Sequence, residues 1–335
     1  MLLTTAASLL ASAAEVLPSV PSRDNKVIHR WSLAGDPRGV AHGSDGTIYV
    51  GLAQPQAVIA IDPKNGEIKK RVVLDSAEIA STKELVTLRT NPERTRLFIA
   101  NGSDESASIL SLPGLAVLRE ITMEGETIRD VVPDPKGRFV YLLGRRVHVY
   151  DKNGATELRT LPIEEPMAIA ASANGALLAV VFTEDFGNTK ATSVAMFDTT
   201  TFAEVRRDPL QTTETIEAAL FADKDRALMA LGREHLFEKT VASRGLNSSD
   251  SICLPEGSGP QIATLGIDDN LLLYAERRCS ASATFGGSKR SVMPASLYGV
   301  NAYAVAHDKN TNLLIVTDRA GFLTLYNVPR VAVAR

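Results

Sequence analysis

Short apolar bursts recur along the chain, each entered through a polar turn. Ile48-Tyr49-Val50 follows Ser44-Asp45-Gly46, and Leu97-Phe98-Ile99 follows the charged run 91–96. Phe139-Val140-Tyr141, Leu177-Leu178-Ala179, Ala227-Leu228-Met229, Leu271-Leu272-Leu273 and Leu313-Leu314-Ile315 repeat the arrangement. Runs this short, bounded by Gly, Pro, Asn and Asp, read as strands. A softer strand precedes each anchor, as Gly39-Val40-Ala41 precedes the first. A third strand follows and ends on a small polar residue: Ile61-Asp62, Leu110-Ser111, Tyr150-Asp151, Phe197-Asp198 and Tyr326-Asn327. Such side chains accept hydrogen bonds from the backbone two residues on and start a turn. Fourth strands with outward polar residues come next, at 67–74, 116–122, 156–161 and 203–207. No long 3.6-period stripe appears after residue 20, so the pattern predicts an all-β chain.

The spacing of the seven anchors averages about 44 residues, the period of a four-stranded propeller blade. A single seven-bladed β-propeller over 26–335 is therefore expected. Its ends carry information of their own. Residues 26–33, KVIHRWSL, read like a fourth strand with no first three before it, while the seventh copy has three clear strands and then VPRVAVAR. The simple resolution gives 26–33 the outer place in the last blade, closing the ring and removing exposed sheet edges. The alternative gives that place to Val331-Ala332-Val333.

Composition narrows the setting. The net charge of −3 offers no global field to nucleic acid or an anionic membrane surface, and no later stretch reaches the ~18 apolar residues of a membrane span. Residues 1–25 resemble a secretory leader with Ala11-Ser12-Ala13 as cleavage site, followed by a Pro/Ser spacer, although no Lys or Arg precedes Arg23. A periplasmic or extracellular place is expected, and a cytoplasmic one if the leader is not a signal peptide. Cys253 and Cys279 flank Gly/Ser-rich insertions. In an exported chain they fit one disulfide worth roughly 3 kcal/mol; in a reducing compartment they are two thiols.

The string P-x-G-V-A, D-G-x-I-Y-V and I-D-x-x-N-G-x-I is carried by Pro37, Gly39-Val40-Ala41, Asp45-Gly46, Ile48-Tyr49-Val50, Ile61-Asp62 and Asn65-Gly66. It resembles the YVTN-type family of seven-bladed propellers, over roughly residues 26–330. WD40 repeats would show recurring G-H and W-D dipeptides, and kelch repeats paired glycines. Quinone-dependent dehydrogenases would need more than the single Trp31. The lactonase branch is close in pattern, but its His-Pro pair and D-L-G-x-D segment are absent.

Counting back from the anchors, the expected mouth of the central channel holds Arg38, Thr87, Arg129, Met167, Glu217, Gln261 and Tyr303. Two arginines, a carboxylate, an amide and a phenol suit a polar or anionic partner, or they pair with one another in a wet channel. Among five histidines, His42 and His307 fall at equivalent places after the first strand of neighbouring blades, a candidate metal pair that repeat inheritance explains equally. Asp104-Glu105, Glu124/Glu126 and Glu164-Glu165 sit in loops, as candidate acid/base pairs or as solvated charge.

The leading expectation is an exported, non-catalytic propeller that binds a protein partner or a polar or anionic ligand at the channel face. A lactonase-like hydrolase, with Glu217 as base and Arg38 or Arg129 steadying an oxyanion, is the alternative. An accessory subunit of a redox enzyme is a third. No cofactor, nucleic acid or integral membrane contact is expected, and oligomeric state is left open.

Overall fold

The computed structural model describes residues 15–21, 27–74, 86–101, 105–185, 187, 190–210, 212–222, 225–232, 235–241, 250–253, 258–265, 271–276, 281–285, 302–308, 311, 313–318 and 320–327. Among them every regular element is a strand. The chain opens with β1 (Val27–Ser32), and the first sheet is β2 (Pro37–His42), β3 (Ile48–Ala53), β4 (Gln56–Ile61) and β5 (Ile68–Val73). The second is β6 (Val86–Thr90), β7 (Arg96–Asn101), β8 (Ser106–Ser111) and β9 (Val117–Thr122). The third is β10 (Asp130–Pro133), β11 (Phe139–Leu143), β12 (Val147–Asp151) and β13 (Glu157–Thr160). The fourth is β14 (Pro166–Ala171), β15 (Leu177–Asp185), β16 (Lys190–Asp198) and β17 (Glu204–Pro209). The fifth is β18 (Ala218–Ala222), β19 (Ala227–Leu231), β20 (His235–Thr240) and β21 (Asp250–Cys253). A three-stranded sheet follows, β22 (Ser258–Leu265), β23 (Leu271–Glu276) and β24 (Ala281–Phe285). In the last sheet β25 (Ala302–Asp308), β26 (Leu313–Asp318) and β27 (Phe322–Asn327) take β1 as their fourth strand.

All pairings are antiparallel and successive in sequence, except β1 on β27. The sequence anchors fall on the second strand of each sheet, and the expected fourth strands are β5, β9, β13 and β17. Position in the sheet explains the composition of each strand. In β3 and β4 nearly every residue is buried, because neighbouring sheets cover both faces. The outer β5, β9, β13 and β17 are largely exposed and polar. First strands touch in the order β2, β6, β10, β14, β18, β22, β25, and β25 also touches β2. Apolar side chains fill the space between neighbours: one cluster joins Val50 and Ile59 of the first sheet to Ile315 and Leu325 of the last.

The outer strands share a device. Five of the six described pairings of third with fourth strand slip by one residue, at Ile28 of β1, Lys69 of β5, Leu118 of β9, Leu158 of β13 and Val205 of β17, while β20 and β21 pair without a slip. Such a bulge bends an edge strand and re-aims the next side chain. That next residue is basic in all five: His29, Lys70, Arg119, Arg159 and Arg206. Lys70 Nζ donates to the Gly114 carbonyl, and Arg159 Nη1 donates to the Thr201 carbonyl at 3.2 Å, each in the turn of the following sheet. The bulge thus clamps neighbouring sheets together.

At the seam between the last and first sheets, Trp31 of β1 is buried against Gly66. A Cβ on Gly66 would stand 2.4 Å from the indole Nε1, and its φ of +75° already favours glycine. The segment 15–21 lies along the same seam. Leu17 donates to the Gly66 carbonyl at 3.0 Å and the Glu15 carbonyl accepts from Ile68, while Ser32 donates to Pro18 and Val20 to Arg30. Leu17 joins the buried cluster that contains Trp31. Val331-Ala332-Val333 lies outside the described residues.

Candidate functional site

The expected channel-mouth residues meet different fates. Arg38 donates through Nε (2.9 Å) and Nη2 (2.6 Å) to one oxygen of Asp36, and its guanidinium lies 4.1 Å over the Tyr303 ring. Arg129 donates from Nη2 to the Gly144 carbonyl at 2.8 Å and to the Pro166 carbonyl, tying the third sheet to the fourth. Met167 Sδ accepts from Thr183 and from the Ile216 amide, and Thr87 is buried. Glu217 is half-buried, and its amide donates to the Leu231 carbonyl. The Gln261 side chain, Cys279 and the Cys253 side chain lie outside the described residues. Arg38 and Tyr303 are thus brought together.

A charged pair that the sequence reading missed occupies the interior. Arg89 of β6 meets Asp130 of β10 through two parallel bonds of 3.1 and 2.8 Å. Burial lowers the Arg89 pKa, and Asp130 more than restores it, so the guanidinium is held charged. The Arg89 side chain keeps 34% of its surface accessible and that of Asp130 17%. Local spacing gives no hint of partners 41 residues apart.

Two adjoining cavities, of about 360 Å³ and about 640 Å³, open in the third sheet and the loops that flank it. They share Glu126, Arg145 and His148. Glu126 comes from the loop between β9 and β10, where Gly125 at φ +75° turns the chain and the Glu126 amide donates to Met123. Gly144 makes room for its carboxylate: a Cβ there would lie 2.9 Å from Glu126 Oε2. His148 of β12 stands between two carboxylates, with Nε2 2.8 Å from Glu126 Oε2 and Nδ1 2.9 Å from Glu157 Oε1.

The bulge at Leu158 creates this meeting. In an unbroken ladder Glu157 would oppose Asp151 and point to the other face; the slip sets it opposite Tyr150, on the face of His148. The Thr160 hydroxyl also donates to Glu157 Oε1, at 2.7 Å. Burial raises the Glu157 carboxyl, but Thr160 and His148 outweigh it, and its pKa is lowered. Burial, together with Glu157 and Glu126, pushes the Tyr150 phenol up. Glu124 borders the smaller cavity and Glu164 and Glu165 the larger one, so two of the sequence's carboxylate runs converge here.

The two ring nitrogens of His148 face opposite carboxylates, so the three groups do not converge on a common centre. Among the described residues no group of three or more His, Cys, Asp or Glu side chains is placed to hold a metal. For the pair His42 and His307, contact is made by His42 Nε2 with the His307 backbone carbonyl at 3.0 Å.

No protein-family model and no curated protein sequence matches the chain. Solved structures match in number, 1545 chains in all. Among them is hydrazine synthase of Kuenenia stuttgartiensis, with a TM-score of 0.68 and 12% identity over 89% of this chain and 96% of that one. At that identity the likeness is one of fold, and the stacked four-stranded antiparallel sheets are those of a β-propeller.

Proposed function

We propose that this chain is an exported, seven-bladed propeller of YVTN type, closed by β1, which binds a polar ligand or a protein partner without catalysing a reaction on it. The ring reading is supported by seven sheets whose first strands touch in cyclic order and by the pairing of β1 with β27. The binding reading places the site in the groove of Glu126, His148 and Glu157. One observation carries it: His148 stands between two carboxylates, hydrogen-bonded through Nδ1 to Glu157 at 2.9 Å and with Nε2 2.8 Å from Glu126. A general base needs one nitrogen directed at substrate, whereas a pre-set array of charges suits recognition. Carboxylates outnumber cations along the groove, which favours a ligand or partner side chain bearing positive charge.

Titrating the protein with a tetralysine peptide by calorimetry tests this reading. Binding should weaken at least tenfold, about 1.4 kcal/mol, in Glu126→Gln combined with Glu157→Gln. Amide shifts should cluster at residues 122–126 and 145–160. Unchanged affinity in the double variant, or shifts gathered around Arg38 and Tyr303, would remove the groove from the proposal.

A further inference from the structure

At the strand ends opposite the Arg38 end of β2, one carboxylate oxygen serves three sheets. Asp308 ends β25, is nearly inaccessible, and accepts the Thr311 hydroxyl on Oδ2 at 2.6 Å. Its Oδ1 takes Arg94 Nη1, from the turn between β6 and β7, at 3.4 Å. The same Oδ1 lies 3.7 Å from Nδ1 of His42, the last residue of β2, and that nitrogen is buried without a hydrogen bond. The other nitrogen, Nε2, is 3.0 Å from the His307 carbonyl. A neutral ring that donates from Nε2 leaves Nδ1 as the proton's only landing place. The charged and titratable groups around it are Arg94 on the second sheet and His307 and Asp308 on the last.

We propose that His42 is an acid-operated pin between the first and last sheets: a proton on Nδ1 makes it compete with Arg94 for Asp308 Oδ1 and releases the Arg94 turn. The junction has one anion, and its second oxygen is engaged by Thr311, so it satisfies one cation fully and not two. Arg94 yields because its side chain is 22% exposed, on a surface turn, while His42 is walled in at 11%. The proton passes from solvent to Nδ1, and no covalent bond changes. Burial first, then Arg94, lowers the His42 pKa below the ordinary 6.5, against the opposing pull of Asp308. A lowered pKa means that the stabilising share of this junction is present above pH 6.5 and is lost as pH falls through the folded value.

The test is thermal denaturation of the full chain from pH 7.5 to 5, beside His42→Gln, which can still donate to His307 but does not titrate. The wild type should lose more melting temperature across that window than the variant. Histidine-selective NMR of the wild type and of Arg94→Met provides a second reading, which stands even if His42→Gln fails to fold. Removal of Arg94 should raise the His42 titration by about one pH unit. Parallel melting curves in wild type and His42→Gln, or a His42 titration unmoved in Arg94→Met, would overturn the proposal.

Discussion

Single residues hold this fold where the backbone leaves no alternative. Gly66 faces the Trp31 indole at a distance no Cβ fits. Gly66→Ala should therefore cost roughly 2 kcal/mol or more, from the left-handed backbone plus displacement of Trp31. Gly46 has φ +81° and open space around it, so Gly46→Ala should cost only about 1 kcal/mol; paired melting curves compare them. Asp134 is wholly buried and held by Arg138 through the backbone amide and two guanidinium nitrogens. Arg138 also reaches the Gly175 carbonyl and the Thr199 hydroxyl of the fourth sheet. Arg138→Gln should destabilise by about 3 kcal/mol, since the carboxylate stays behind without its cation, as denaturant titration would show. Turn aspartates set the acid limit. Asp62 is lowered first of all by the Lys64 amide; at Asp151 burial works upward but the Thr156 and Ala155 amides outweigh it. Their contribution is present above the unfolded value of 3.8 and disappears as pH falls through the lower folded values, so melting temperature should drop steeply below about pH 4.

At the scale of elements, strands were legible and bulges were not. Anchors such as Phe139-Val140-Tyr141 are apolar because second strands are covered on both faces, and that composition is visible in one dimension. The slip at Leu158 follows from how the edge strand bends toward its neighbour, and the sequence there, Glu157-Leu158-Arg159, reads as ordinary alternation. The groove went unseen for that reason: Glu124, Glu126, Glu164 and Glu165 were recognisable as loop charge, but Glu157 belongs with His148 only after the slip. The expected mouth residues met partners that the sequence did not announce. Arg38 finds Asp36 two residues away, and Arg129 finds carbonyls of two sheets. Arg129→Ala should accordingly lower the melting temperature, not merely alter binding, because it removes a bridge between the third and fourth sheets.

For the whole molecule, the seam between last and first sheets gathers the most varied contacts. Trp31 and Leu17 fill its rim, residues 15–20 lie across it, and Asp308 pins its far end. Deleting residues 1–21 removes the four backbone hydrogen bonds of the 15–20 segment and the buried Leu17. The truncated chain should stay folded but melt lower, with amide exchange accelerated first in β1 and β5 and unchanged in β15 and β16. Uniform acceleration would show instead that the sheets open as one unit.

Because Ser32 pairs with Phe322, the partners in the last ladder are separated by about 290 residues of chain. During synthesis β1 emerges before β2 to β27 and waits through their making, a free ribbon edge beside growing sheets. A circular permutant that carries residues 15–33 behind Asn327 would keep the same final contacts and turn this longest search into a hairpin. It should refold faster and leave fewer mispaired chains.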